Sequence, residues 1–412
     1  MTSDAPLPSL LDLTPLNEAY RNDPYPILND LRTRCPVRVD PQWGNTVFSR
    51  YADVRATVND RTLWADPLKA NGDMVSARMF SRDVDLSLPR SETTSILMLD
   101  DPDHARIRHP LAQALYARVA RFKPQVEAII DGALDRLPTD RSFDLMAEFC
   151  VPIPIDVIAQ ILGVDPDRLA QFRSWSEGII QSLNPFRNPE QTAEMEIART
   201  AMNDYFEALI IERRAQPRDD LVSDMARLQA EGVQLSDTEL RINLSALLVG
   251  GNLTTTDLIG NGVRLLLTHP DELAKLKADP KLAGPTVEEV LRFDPPVDST
   301  GRIASGDTEI AGCPMAAGQS MSFHLRAANR DPDMFEDPDR FDITRKHRPH
   351  VAFGGGEHIC IGAPLARLEA QVALVKLFER FPDLCLADPG AAPVWRTLPF
   401  FRGLERLDVV GG

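Results

Sequence analysis

The sequence is poor in the features that label secreted, membrane-spanning or nucleic-acid-binding chains. Its 412 residues hold five cysteines, Cys35, Cys150, Cys313, Cys360 and Cys385. They are scattered, odd in number and without CxxC spacing, which argues against a disulfide framework or a zinc knuckle and fits a reducing compartment. No uninterrupted apolar run is long enough to span a bilayer, and the polar start Met1-Thr2-Ser3-Asp4 lacks the basic-then-apolar order of a signal peptide. Positive charge is also scarce: 45 Lys and Arg against 61 Asp and Glu give a net charge of −16, which argues against nucleic acid or an anionic membrane as a partner. Repeats and low-complexity tracts are missing too. The expectation is a cytoplasmic, monomeric protein.

What is present is mostly helical pattern, read as one domain over residues 1–412 with a loosely held arm over residues 1–23. A short helix is expected from Pro24 and a hairpin from Val37-Arg38-Val39 and Thr46-Val47-Phe48-Ser49. Residues 65–95 lack periodicity and read as a long loop. Helical patterns then follow over 105–117, opened by Asp100-Asp101-Pro102-Asp103-His104, and over 123–137, 148–162, 168–183, 191–215 and 221–231. Ser236-Asp237-Thr238-Glu239 is a capping box that starts a helix running to about Thr268. The centre of that helix, Gly250-Gly251-Asn252-Leu253-Thr254-Thr255-Thr256-Asp257, conflicts with helix propensity. Such conflict marks either a functional site or a close helix crossing with threonines bonded back to the preceding turn. Glu289 and Arg292 sit one turn apart on a later helix, and spacing alone makes them an ordinary surface pair. Short strands are expected over 301–304, 308–312 and 319–323, and a small terminal sheet after Leu384.

The stretch from Val351 to Arg367 carries chemistry. Three consecutive glycines, Gly354 to Gly356, precede Cys360, and an amphipathic helix follows. A cysteine at a helix N-terminus meets free amide hydrogens and the positive end of the helix dipole, which favour the metal-ligating thiolate. Alone, the motif reads first as an ordinary glycine turn beside a structural cysteine.

Four features in this order resemble the cytochrome P-450 family of heme-thiolate monooxygenases: the interrupted helix, Glu289 with Arg292, Phe341-Asp342 before a basic run, and Phe353, Gly356, Cys360 and Gly362 matching FxxGxxxCxG. The resemblance implies a mainly α fold with small β-sheets, a single triangular prism. It implies heme b (iron protoporphyrin IX) with Cys360 as the axial ligand and metal contact, and O2 as co-substrate. Phe353 and Gly362 would flank that ligand, and His104, Arg108, Arg302 and His358 would hold the propionates. Glu289 and Arg292 would form a buried structural network with the loop near Arg340.

One departure matters. The family places an acid before the threonine of the interrupted helix, where the two hand protons to the dioxygen being reduced. Here Leu253 stands at the acid position and Thr254 remains. The expected relay is Thr254 with a water held by Asn252, and Asp257 as a secondary proton source. Substrate walls placed by analogy include Leu97, Ile179, Gly250, Val297, Ser299 and Phe400, which favour a small apolar substrate. NAD(P)H would act indirectly, through a reductase and an acidic iron–sulfur ferredoxin docked on a basic patch of Arg106, His109, Arg118, Arg121 and the run Arg345-Lys346-His347-Arg348. Peroxide-driven, desaturating or coupling chemistry, and a heme sensor without turnover, remain alternatives.

Overall fold

The computed structural model describes all residues except 1–5, 73, 81–83, 185, 347, 348 and 412. The expected mainly helical architecture with small sheets is found. The element that positions the rest is the helix Asp237–Thr268, 32 residues long. Its capping box closes in both directions: the Glu239 amide donates to the Ser236 hydroxyl at 3.1 Å and the Ser236 amide to the Glu239 carboxylate at 2.8 Å. The helix stays regular through Gly250–Asp257, so the propensity conflict does not interrupt it. The stretch carries two local features. The Thr254 hydroxyl bonds back to the Gly250 carbonyl at 2.7 Å. Gly251 packs closely on the crossing helix Pro152–Leu162, where an added Cβ would meet Ile158 Cγ1 at 3.4 Å.

This central helix packs against Pro152–Leu162, Pro189–Ala215 and the cysteine helix Ala363–Arg380. One apolar core joins them and takes in residues from Ile96 to Val409. The pattern expected over 148–162 divides in two, a π-turn at Met146–Cys150 and then Pro152–Leu162. Residues 65–95, expected as a loop, contain the short helices Pro67–Lys69, Val75–Phe80 and Arg90–Glu92.

The main sheet has four strands in the order Val37–Val39, Thr46–Phe48, Ser320–His324, Ser299–Ile303. The hairpin pairs antiparallel, Thr46–Phe48 runs parallel to Ser320–His324, and the last pair is antiparallel with Arg302 opposite Met321. The terminal sheet is more divided than expected: Val394–Trp395 pairs with Leu404–Arg406, whereas Asp408–Val410 lies between Ser142–Asp144 and Cys385–Leu386. The arm expected to be loosely held is packed over its described residues. Leu13 and Tyr20 join a small core with Leu28, Leu31 and Val47, and the Leu10 amide donates to Asp40 at 2.7 Å. Apolar spacing too irregular for a helix stripe hid this burial. No helix of the described residues is long and apolar enough to cross a membrane.

Candidate active site

Cys360 lies three residues ahead of the cysteine helix, in a turn where its amide donates to the Phe353 carbonyl at 3.0 Å. The glycines before it are required. Gly354 and Gly356 have φ of +69° and +62°, a region that favours glycine. A Cβ on Gly356 would also come within 2.6 Å of the Val58 carbonyl, and the Gly356 amide donates to Asn59 Oδ1 at 2.8 Å. Cys360 is accessible, yet surrounding protein desolvates the thiol and raises its pKa. Hydrogen bonds from the Gly362 and Ala363 amides, and the charges of Arg108 and Arg367, act in the opposite direction. Donors aimed at sulfur favour thiolate once a cation is near. Phe353 is held by the Arg367 guanidinium 4.6 Å from its ring centroid.

Beside the cysteine turn the fold gathers His104 and Arg108 from the helix Asp103–Val119, Arg302 from the sheet, and His358. The two imidazole rings stand 4.2 Å apart. His104 is buried, and its Nε2 has no hydrogen-bond partner among the described residues. Burial, then repulsion from Arg302, His104 and Arg108, pushes His358 down to about 3. Burial also lowers the Arg302 and Arg108 pKa values. Arg302 bonds the Gly301 carbonyl at 2.7 Å and Arg108 the Ile359 carbonyl. Neither forms an ion pair among the described residues. A lone thiol under amide donors, next to two arginines with no carboxylate in ion-pair distance among the described residues and an imidazole whose Nδ1 lies 3.6 Å from Asp101 but whose buried Nε2 is orphaned among them, fits an iron porphyrin with two carboxylates.

Glu289 and Arg292 form a buried bidentate pair, 2.7 Å at both contacts. Arg292 also donates to the carbonyls of Asn329, Pro338 and Arg340. The Arg340 side chain faces solvent, so its part in the network is its backbone.

Other placements differ from expectation. Gly250 and Thr254 share one face of the central helix, and an added Cβ on Gly250 would meet nothing within 4 Å. Asn252 is buried; at about 100° per residue it points to the opposite side of the helix from Thr254, so it cannot hold a water for that hydroxyl. Asp257 is fully buried and paired with Arg396, which removes it as a proton source. Val297 and Phe400 are brought together: Val297 bridges to Phe401, and the Asp298 amide donates to the Phe400 carbonyl at 2.9 Å. Ser299 opens the neighbouring strand and Ile179 ends the helix Leu169–Ile179, both half-buried. Leu97 is 56% exposed.

The basic patch does not form as expected, because the acidic chain supplies internal partners. Arg106 binds Asp103 and Glu239, and buried Arg118 binds Asp219 and Asp224. Arg345 turns inward to Glu289 at 3.3 Å, and Arg121 pairs with Asp219. His109 and Lys346 are exposed; His347 and Arg348 lie outside the described residues. Sequence reasoning also missed Arg396, because its partner is 139 positions away. A cavity of about 560 Å³ beside Tyr25, Arg264 and Trp395 shares no lining residue with the cysteine site.

Residues 281–385 match the Cytochrome P-450 family model. The chain is 38% identical to the monooxygenase PikC of Streptomyces venezuelae, over 98% of this chain and 94% of that protein. It is 36% identical to the vitamin D(3) 25-hydroxylase of Pseudonocardia autotrophica, over 95% of each. Among solved structures, that of a Mycobacterium smegmatis cytochrome P-450 with econazole bound superimposes with a TM-score of 0.85 at 32% identity, covering 96% of this chain and 98% of that one. Full-length identity at this level, together with a cysteine turn and cation cluster shaped for a porphyrin, shows that the chain belongs to the cytochrome P-450 family of heme b-dependent monooxygenases.

Proposed function

We propose that this monooxygenase inserts one oxygen atom of O2 into a small apolar organic substrate, by hydroxylation or O-demethylation, with electrons from a separate iron–sulfur ferredoxin and its reductase. The observation that carries the reading is the Cys360 turn, with the Gly362 and Ala363 amides directed at the thiol and His104, Arg108, Arg302 and His358 alongside. Heme b held there supplies dioxygen binding and reduction. Cys360 would ligate the heme iron, and His104, Arg108, Arg302 and His358 would hold the propionates.

Thr254 is the alcohol of the proton path. Its own proton is directed to the Gly250 carbonyl, which leaves the oxygen lone pairs free to accept from water on the open side. Leu253 carries no proton and Asp257 is sequestered, so protons arrive through water ordered by Thr254 alone. Gly250, Ile179, Val297, Ser299 and Phe400 form the substrate wall. They are apolar or small, and the relative named for vitamin D(3) supports an apolar substrate class. For the redox partner, the exposed His109 and Lys346 replace Arg106, Arg118 and Arg345 as docking groups.

The test is the reduced, carbon monoxide-bound absorption spectrum of wild type and Cys360→Ser, followed by titration with apolar ligands. A thiolate-type band lost in C360S supports the ligand assignment; its survival there refutes it. Lack of any spectral response to sterol, terpenoid and fatty-acid probes would refute the substrate class. The missing acid at Leu253 favours a second reading, peroxide-driven turnover. Product formed faster with hydrogen peroxide alone than with ferredoxin, reductase and NADH would select it.

A further inference from the structure

The central helix carries a fully buried carboxylate, Asp257, one turn beyond Thr254. Three residues place it about 4.5 Å further along the axis and about 60° around from the threonine. Its Oδ1 accepts from Arg396, which immediately follows the strand Val394–Trp395. Arg396 is at the base of a hairpin: its amide donates to the Gly403 carbonyl at 3.0 Å, and the tip between them is Leu398-Pro399-Phe400-Phe401. Gly403 has to be glycine for this, because a Cβ there would collide with the Asp257 carboxylate.

The opposite flank of the tip is tied to the segment before Ser299. The Asp298 amide donates to the Phe400 carbonyl at 2.9 Å, the Arg402 amide donates to the Pro296 carbonyl at 2.8 Å, and Val297 bridges to Phe401. Phe400 itself has φ of +66°, a strained value for an aromatic residue. Strain of this kind persists only where the surroundings over-determine the backbone. Two ties therefore hold one strained aromatic at the tip, and the ion pair is one of them.

The pair is poorly arranged for stability. Asp257 Oδ2 and Arg396 Nε are buried without hydrogen-bond partners among the described residues. An incompletely satisfied buried pair contributes less than an apolar contact of the same volume, and its attested use is to fix geometry. Burial lowers the Arg396 pKa to about 10 against the opposing charges of Glu177 and Glu405, so the guanidinium remains charged at neutral pH. Glu177 belongs to the helix that ends at Ile179, which brings a third wall into the same electrostatic cluster.

We propose that Asp257 and Arg396 are a positioning pair that sets which ligands the site accepts, by fixing the hairpin tip and its Phe400 against the central helix beside Thr254. This rests on the reading of Phe400 as a substrate wall. Asp257, offered by the sequence as a proton source, instead shapes the space in which the substrate lies.

The experiment uses the heme-loaded protein and two azoles that bind heme iron. Imidazole is too small to reach the walls, and econazole is large enough to press on them. Spectral Kd values are measured for wild type, Asp257→Asn, Arg396→Gln, the double variant and Phe400→Ala at matched heme content. The expected result is about tenfold weaker econazole binding in D257N and R396Q, equivalent to roughly 1.4 kcal/mol, with imidazole unchanged. The double variant should match either single one, because each removes the same tie. If F400A shifts econazole but the pair variants do not, the proposal is overturned and the wall reading stands. If F400A leaves econazole unchanged, the wall reading fails and the proposal with it. Equal loss for both azoles in the pair variants marks a merely structural role and also overturns it. Should one single variant fail to take up heme, the remaining single and the double variant give the same comparison.

Discussion

Removing Arg292 should be far more damaging than its position one turn from Glu289 implies. The guanidinium makes two 2.7 Å bonds to the Glu289 carboxylate and three more to the carbonyls of Asn329, Pro338 and Arg340, at 3.1, 2.9 and 3.1 Å. It also lies 5.4 Å from the Phe335 ring centroid. In Arg292→Leu the carboxylate keeps only Arg345 at 3.3 Å and the Asp342 amide at 3.0 Å. Breaking a buried pair costs about 3–5 kcal/mol. Each carbonyl left without a donor adds about 1 kcal/mol or more, less whatever water recovers. The sum, roughly 5–8 kcal/mol, is comparable with the whole stability of a typical domain, about 5–15 kcal/mol. R292L should therefore accumulate as protein that does not retain heme. Glu289→Gln keeps the carbonyl bonds and should cost about 3 kcal/mol; Arg345→Gln loses one long contact to the carboxylate and bonds to the carbonyls of Glu336, Asp337 and Arg340 that are exposed enough for water to replace, and should cost about 1–2 kcal/mol. Urea midpoints together with heme content measure the series. The reasoning is refuted if R292L lies within about 1 kcal/mol of wild type, or if R345Q costs as much as R292L.

Three further outcomes follow from the site. Gly356→Ala places a Cβ against the Val58 carbonyl at a φ of +62° and should sharply lower the thiolate-ligated fraction in the reduced carbon monoxide spectrum; an unchanged spectrum would show that the turn has slack. Thr254→Ala should divert NADH consumption from product to peroxide, whereas Asn252→Ala should leave that coupling intact, because its side chain points away from the hydroxyl; product per NADH distinguishes the two. Burial raises the Glu288 pKa, but bonds from His350 at 3.2 Å and Arg367 at 2.6 Å outweigh it and hold the carboxyl at about 2, against an ordinary value of 4.5. A depressed carboxyl pKa gives stability that is full above pH 4.5 and is lost as pH falls towards 2, here roughly 3 kcal/mol. Because Glu288 ties the cysteine helix to the loop before it, heme release should begin in that window in wild type and should be much less pH-dependent in Glu288→Gln.

What the sequence revealed and what it concealed divide along sequence separation. The capping box at Ser236 and the glycine turn before Cys360 are local devices, so their residues are legible a few positions apart. The face on which Asn252 lies was legible too, because counting 100° per residue suffices once the helix is known to be continuous. The glycines and threonines of Gly250–Thr254 read as an interruption, whereas the helix runs unbroken from Asp237 to Thr268. The docking cations were not legible at all. Arg106 and Arg118 find Glu239 and Asp224 more than 100 residues away, and Arg396 finds Asp257 across a similar distance. In a chain with 61 acids and 45 bases, most arginines are bound to acquire such partners. An arginine that acquires none then becomes informative. Arg108 and Arg302 are buried enough for their pKa values to fall, yet neither has a carboxylate within ion-pair distance among the described residues. Leaving a partly desolvated cation uncompensated is unfavourable unless an anion from outside the chain completes it. In this acidic protein, with Asp101 only 3.6 Å from His104 and Asp100 close enough to act on Arg302, it is therefore the absence of a direct carboxylate partner on Arg108 and Arg302 themselves that is consistent with heme carboxylates between them.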